Sequence, residues 1–401
     1  MTVDHDILIV GGGLNGPALA LACAQANLSV ALIDPAPADA PTDFDGRSYA
    51  ISKGSQRLLA AIGLWEQLGP QAQEMTEIKV TDAAPGRPPA PQMLHFQSDE
   101  IETKPMGYMI EDRHLRAALA PALDHPLITR HAGRTAVAQE ISGPHAAVTL
   151  DDDTVLTGRL LVGADGRASG TRERAGIKRR FWPYGQSGVV CTLTHERPHG
   201  GVAHQQFMPE GPLAILPLTG NRCSIVWSVT EAHAKALLEL PEDDFLSALR
   251  PIFGDFLGEI SLTGPRFAYP LTFSLADQFT APRLALLGDA AHGMHPIAGQ
   301  GLNAGLRDVG ALHHVLEDAR QRGEDIGAAN VLERYAEWRR FDVTTMMVAT
   351  DLTNKLFSND SPLLRGVRDL GLGLVNATAP LRRTFLREAA GLTGDLPRLM
   401  R

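Results

Sequence analysis

The stretch HDILIVGGGLNGPALALACAQANLSVALID, from His5 to Asp34, decides the fold class. HDILIV is a short apolar run of the kind that fills a parallel strand covered on both faces. Glycines follow at once, then an Ala- and Leu-rich helix from about Gly16 to Ala26, then a second strand over Ser29–Ile33 that closes at Asp34. This is a β-α-β unit. Gly11, Gly13 and Gly16 stand in GxGxxG register, with Leu14 and Asn15 between the last two. The first glycine permits a tight turn, the second lets the backbone approach a pyrophosphate, and the third lets helix and strand pack closely. The helix N-terminus offers free N–H groups and partial positive charge to phosphates. Asp34 stands where a carboxylate accepts hydrogen bonds from an adenosine ribose. Together these features predict a dinucleotide site. The plain alternative is a glycine-rich turn with a strand-end aspartate.

The chain has 401 residues and a formal net charge of -9, enough for two structural units and unsuited to nucleic acid as a partner. Cys23, Cys191 and Cys223 are far apart and form no CxxC pair, which fits a reducing compartment and no structural metal. The start MTVDHDILIV lacks a basic region and cleavage site, and no run of about 18 apolar residues is free of charge. A cytoplasmic protein is expected, with any membrane contact peripheral, on the inner face of the cytoplasmic membrane.

Two further motifs follow. LLVGADGRASGTR, Leu160 to Arg172, is a strand ending in Asp165-Gly166. It could touch a cofactor or organise local ion pairs. GDAAHGMHPIAGQGLNAGLRD, Gly288 to Asp308, follows the buried strand LALL. Asp289 could bind polyol hydroxyls, the loop to Gly301 is nearly bare of bulky side chains, and a helix begins at Gly299-Gln300-Gly301. Such a loop suits a wide planar ring lying against backbone. A helix N-terminus there would stabilise negative charge on a reduced flavin, whereas a reduced nicotinamide is neutral and needs no such support. His292 and His295 have HxxH spacing, but the Gly-Met spacer and following proline argue for loop architecture over a metal. Helical patterns run over Gly54–Leu68 and Glu111–Leu123, and the chain reads as mostly helical from Ala304. GVVCTL, LAILPL and CSIVWSV, between Trp182 and Tyr269, read as an antiparallel sheet.

In this order and at these separations, the three motifs resemble the FAD-dependent aromatic hydroxylases of the para-hydroxybenzoate hydroxylase type. Arg47 in DGRSYAIS, Arg113 in EDRHLRAAL, GPLAILPL over Gly211–Leu218, and the tail segments LFSNDSPLLRGVRDLGLGLV and FLREAAGLTGDLP narrow the resemblance to the ubiquinone-biosynthesis hydroxylases. The resemblance implies an α/β fold: a Rossmann-like FAD-binding domain (1–75 with 105–180 and 276–340), an inserted antiparallel β-sheet substrate domain (76–104 with 181–275), and a C-terminal helical region (341–401). It implies that Gly11, Gly13, Leu14, Asn15, Gly16 and Asp34 hold the ADP half of FAD. Arg113 and Asp289 would bind its pyrophosphate and ribityl region, Asp165 would serve both FAD and the transient pyridine nucleotide, Arg47 would also contact the cofactor, and Gly299, Gly301, Leu302 and Asn303 would face its ring. Arg47, His292 and Pro296 would act at the reacting centre, and Phe207, Pro217, Leu218 and Trp227 would line the substrate pocket.

The implied reaction is hydroxylation of a polyprenyl phenol with O2 and NAD(P)H as transient electron donor, through a flavin C4a-hydroperoxide. Its rivals are a hydroxylase of a small soluble aromatic acid and a non-catalytic FAD-binding subunit of a biosynthetic assembly. From Leu363 to Arg401 seven arginines face three acids. That tail is either a helix packed on the FAD domain or a surface helix that meets anionic lipid or a partner protein.

Overall fold

The computed structural model describes residues 3–38, 40, 43–82, 94–101, 104–293, 300–357 and 378–401. The opening unit forms β1 (His5–Val10), α1 (Asn15–Gln25) and β2 (Val30–Asp34). β1 lies parallel between β2 and the strand Val155–Gly163, with Ile7 opposite both Val30 and Leu160. The strands Leu284–Leu286 and Ile128–Ala132 extend this parallel core on either side. Ile7, Leu8 and Ile9 have no exposed surface, which accounts for the unbroken apolar run. α1 is buried nearly all round because it lies beside the helix Gln300–Gln321 as well as the sheet, so small residues replace an amphipathic stripe.

A second eight-stranded sheet runs in the order His292–Gly293, Ile260–Ala276, Arg179–His195, Arg222–Thr230, Leu213–Leu218, Val202–Phe207, Glu77–Asp82, Leu94–Gln97. All its pairs are antiparallel except Val202–Phe207 with Glu77–Asp82, which is parallel. Helices Glu231–Glu239 and Glu242–Phe253, absent from the sequence reading, cover one face; Phe245, Leu249 and Phe253 insert there at helical spacing. A three-stranded sheet of Ser48–Ser52, Gly107–Glu111 and Gln73–Met75 lies against the other face, through Ala50, Met75, Met109, Leu216 and Leu218.

The helix expected over Gly54–Leu68 is two pieces, Lys53–Ala61 and Trp65–Leu68. Gly63, at φ +83°, ends the first in the left-handed region. The apolar tail residues Leu363–Val375 lie outside the described residues, with Arg365 and Arg368. Beyond them, the helix Ala379–Ala389 is docked. Leu386, Ala390 and Leu392 pack with Ile101 and Met106, and Arg382 pairs with Glu100 at 2.5 Å. Arg398 pairs with Glu317 and Asp318. This part of the tail therefore follows the packed reading. Among the described residues no helix is long and apolar enough to cross a membrane.

Candidate active site

The glycine loop is shaped by what surrounds it. Gly11 has φ +119°, and a Cβ there would fall on the Ala164 carbonyl, so the first glycine is required where the second motif crosses beneath it. Gly16 would drive a Cβ into the Gly11 carbonyl, the close packing expected of the third glycine. Gly12, which the motif leaves free, has no room either: its Cβ would lie 2.7 Å from the Asp34 side chain. Gly13 differs. Nothing lies within 4 Å of its Cβ position, so the loop presents one bare, open point. The Asp34 carboxylate accepts the N–H groups of Gly12 and, at 2.8 Å, Ala36. α1 starts without a side-chain cap. Its free N–H groups, the open Gly13 and the neighbouring carboxylate fit the pyrophosphate and ribose of a dinucleotide.

The first and third motifs meet at Asn15, as the first and second do at Gly11 and Ala164. The Asn15 amide occupies the space that a Cβ on Gly288 or Gly305 would need, and its Oδ1 is buried without a hydrogen-bond partner among the described residues. The second and third motifs are tied by two arginines. Arg167 pairs with Asp289 at 3.1 Å, and buried Arg172 donates to the carbonyls of Ala290 (3.1 Å) and Arg167 (3.3 Å). The Asp165 carboxylate, expected to serve the cofactor, is taken up by its own turn: it accepts Ser169 Oγ at 2.5 Å and the Thr171 N–H at 2.9 Å. Its visible work is to start the helix Gly170–Arg174.

Behind the Gly288–Asp289 turn lies a buried ionic network. Asp308 accepts the Gly288 N–H at 2.8 Å, pairs with His292 Nε2 at 2.6 Å, and accepts Arg339 Nε at 2.6 Å. Arg339 continues to Asp342 at 2.7 Å, Asp342 to Arg307 at 2.9 Å, and Arg307 to the Thr393 carbonyl at 2.9 Å. Burial alone would raise the Asp308 carboxyl, but His292 and Arg339 outweigh it and hold the group below its ordinary value. His292, proposed at the reacting centre, is thus a buried ring that holds the turn to the helix behind it; its Nδ1 has no hydrogen-bond partner among the described residues. Pro296, Gly299 and His295 lie outside the described residues.

The remaining expected residues divide. Arg47 bridges Asp45 (2.5 Å) and Asp112 (3.2 Å) and is almost half exposed. Arg113 stacks over Phe44 at 5.2 Å, and its Nε lies 2.7 Å from Glu111 Oε2. That contact is off the N–H direction, so it is an ion pair without a hydrogen bond. Glu111 is shared with Arg222 of the second sheet at 2.6 Å. Asn303 donates to the Ala50 carbonyl at 2.7 Å and accepts the Ser52 N–H at 2.9 Å, fixing the helix Gln300–Gln321 to the three-stranded sheet. Among the described residues nothing lies within 4 Å of a Cβ on Gly301, and Leu302 packs on the main core.

The four expected pocket residues are not brought together. Trp227 belongs to the helix-covered face of the second sheet, 6.5 Å from the Phe245 ring, and Pro217, opposite Cys223, shares that face by strand alternation. Phe207 packs with Val80 and Leu94. Leu218 alone packs with Met75, Met109 and Ala203. The half-buried residues that alternate onto that inner face, Ala214, Leu216 and Val226, are what the sequence reading missed; the pattern LAILPL does not say which face a helix will cover. Tyr269 also alternates inward beside Gly188, its phenol pushed up to about 12 by desolvation, with Arg167 opposing. It keeps its proton at neutral pH and can donate a hydrogen bond.

Residues 4–350 match the family model described as the FAD binding domain. The chain is 45% identical over 404 residues to the ubiquinone hydroxylase UbiL of Rhodospirillum rubrum, spanning 99% of this chain and 92% of that protein. It is 36% identical over 393 residues to the 3-demethoxyubiquinol 3-hydroxylase of Escherichia coli, spanning 96% and 98%. The solved p-nitrophenol 4-monooxygenase PnpA of Pseudomonas putida matches with a TM-score of 0.80 at 17% identity, over 98% and 99% of the chains, a likeness of fold. Fold, site and relatives define an FAD-dependent monooxygenase. Within that class the chain belongs to the ubiquinone-biosynthesis hydroxylase family.

Proposed function

We propose that this enzyme hydroxylates the aromatic ring of a polyprenyl phenol, with NAD(P)H and O2 as co-substrates. The observation that carries the reading is the meeting of the bare Gly13, the Gly288–Asp289 turn and the helix Gln300–Gln321 around Asn15. Gly11 to Gly16 and Asp34 would hold the ADP half of FAD. Asp289 and Arg113 would serve its middle, and Gly299, Gly301, Leu302 and Asn303 its ring, with Pro296 presented to the substrate. Bound FAD supplies electron transfer from NAD(P)H to O2 and the oxygen-transfer chemistry. The protein's part is position, exclusion of water, and electrostatics. The N-terminal turn of Gln300–Gln321 would favour negative charge on the ring, since it carries no acidic residue. Tyr269, which keeps its proton, can donate a hydrogen bond toward the substrate side of the sheet.

A specific observation favours a neutral prenylated phenol over a small acid. Among the described residues the buried arginines are Arg172 and Arg339, and both are engaged within the fold. The inner sheet face offers Ala214, Leu216 and Val226 instead. The reading expects a short-chain prenylphenol to stimulate NAD(P)H oxidation with hydroxylated product, and salicylate-like acids not to. Coupled hydroxylation of the acids alone would overturn it. A polyprenyl substrate also implies peripheral contact with the membrane or with a biosynthetic complex.

A further inference from the structure

The strand Arg179–His195 outruns one of its neighbours. Arg222–Thr230 pairs with it only from Gln186 onward, whereas Ile260–Ala276 pairs with it from Arg179. Residues 179–183 therefore form an edge of the sheet, paired only with Ile260–Ala276, and all six residues of KRRFWP, 178–183, are exposed. Phe181 is 50% and Trp182 45% exposed, the one pair of adjacent large apolar side chains so placed among the described residues. Trp182 rests on Phe273 with ring centroids 5.1 Å apart, and the Arg179 guanidinium lies 5.5 Å over Phe181. The rings are thus held in place and left facing water.

Their flank is cationic. Arg174, Lys178, Arg179 and Arg180 fall within seven residues that contain no carboxylate, on a chain with net charge -9. Arg180 pairs with Asp277 at 2.9 Å, yet its side chain remains 69% exposed. This edge is also near the site. Ser274 and Leu275, which pair with Phe181 and Arg180 on one side, pair with Gly293 and His292 on the other. By contrast, Arg382 and Arg398 of the tail are committed to acids within the fold.

We propose that the Lys178–Trp182 edge is a docking surface for an anionic lipid bilayer. Trp and Phe suit the headgroup boundary, and the basic flank suits a negative leaflet. The purpose, delivery of a substrate with a long apolar tail, rests on the function proposed above, but the lipid contact can be measured without substrate. The experiment is flotation of the FAD-loaded protein with vesicles of equimolar phosphatidylglycerol and phosphatidylcholine, against phosphatidylcholine alone. The protein should float with the anionic vesicles at low ionic strength and be released by salt. Lys178→Ser with Arg180→Ser should weaken partition roughly fivefold per basic residue removed. Phe181→Ser with Trp182→Ser should abolish flotation while FAD content and turnover of detergent-dispersed substrate persist. Wild-type protein that stays at the bottom, or edge variants that keep FAD and float like wild type, would overturn the proposal. A dimer that the edge variants dissolve, with no vesicle binding, would assign the surface to a second copy instead. Vesicle binding of the predicted kind without any hydroxylation would sink the functional reading and leave the docking surface standing.

Discussion

Asp308→Ala should be the most damaging single substitution behind the active-site turn. In the wild type the carboxylate has no exposed surface and receives three groups: the Gly288 N–H, His292 and Arg339. Removing it leaves Arg339, itself fully buried, with Asp342 as its remaining acid. Breaking a buried pair from one side costs about 3–5 kcal/mol, against a total stability of about 5–15 kcal/mol for typical domains. Gly288 also loses its acceptor, so the turn that carries Asp289 loosens and FAD retention falls with stability. Urea unfolding, followed by far-UV dichroism, reads the first effect, and the flavin-to-protein absorbance ratio reads the second. Asp308→Leu combined with Arg339→Met should recover much of the lost stability, because it removes both charges together. The pH dependence has a definite sign. The folded carboxyl lies below its ordinary value, so its contribution is complete above the usual carboxylate range and disappears as pH falls through the folded value. Asp308→Asn lacks that group and should show a flatter acid limb than wild type. A loss under about 1 kcal/mol in Asp308→Ala, within the range of an ordinary surface substitution, with full flavin occupancy would refute the reasoning.

Three other substitutions separate binding from folding. Gly13→Val points into open space, so unfolding should change by no more than about 0.5 kcal/mol while FAD affinity drops at least about tenfold; unchanged flavin titration would show that the ligand does not approach there. Asp289→Ala should weaken FAD binding by about 1–3 kcal/mol and leave the folded fraction nearly unchanged, because its one described protein partner is half-exposed Arg167; apoprotein reconstitution checks this. Leu386→Ala empties a site only 1% exposed and should cost about 2–5 kcal/mol in denaturant unfolding, the expected result if the tail helix is docked and not free to meet a membrane.

The first β-α-β unit was legible because three independent signals coincide there: a doubly buried strand, glycines at positions that forbid a Cβ, and an acid at the end of β2. Gly13 stood out by type, and the structure shows why it alone is bare while Gly11, Gly12 and Gly16 are crowded. The second sheet was legible as strands but not as a surface. LAILPL is apolar on both faces, so Pro217 could not be told from Leu216 until the covering helix was found. CSIVWSV does alternate, with Cys223, Ile225, Trp227 and Val229 on one face and Ser224, Val226 and Ser228 on the other, and that pattern already set Trp227 on the fully apolar, helix-covered face. That helix could have been found, since Phe245, Leu249 and Phe253 recur every fourth residue after three acids at its N-terminus. The Asp308 network was not legible at all. Asp308, Arg339 and Asp342 read as ordinary polar positions on two long helices, and only the crossing of those helices buries them.

The most direct test of the central claim is mass spectrometry of the product formed by the purified FAD-loaded protein from a prenylphenol, NADPH and heavy-isotope O2. The account predicts a phenol heavier by one labelled oxygen atom on the ring, with none incorporated from labelled water and no product without O2. An unlabelled product, or NADPH consumption that yields only reduced oxygen species whatever phenol is supplied, would contradict it.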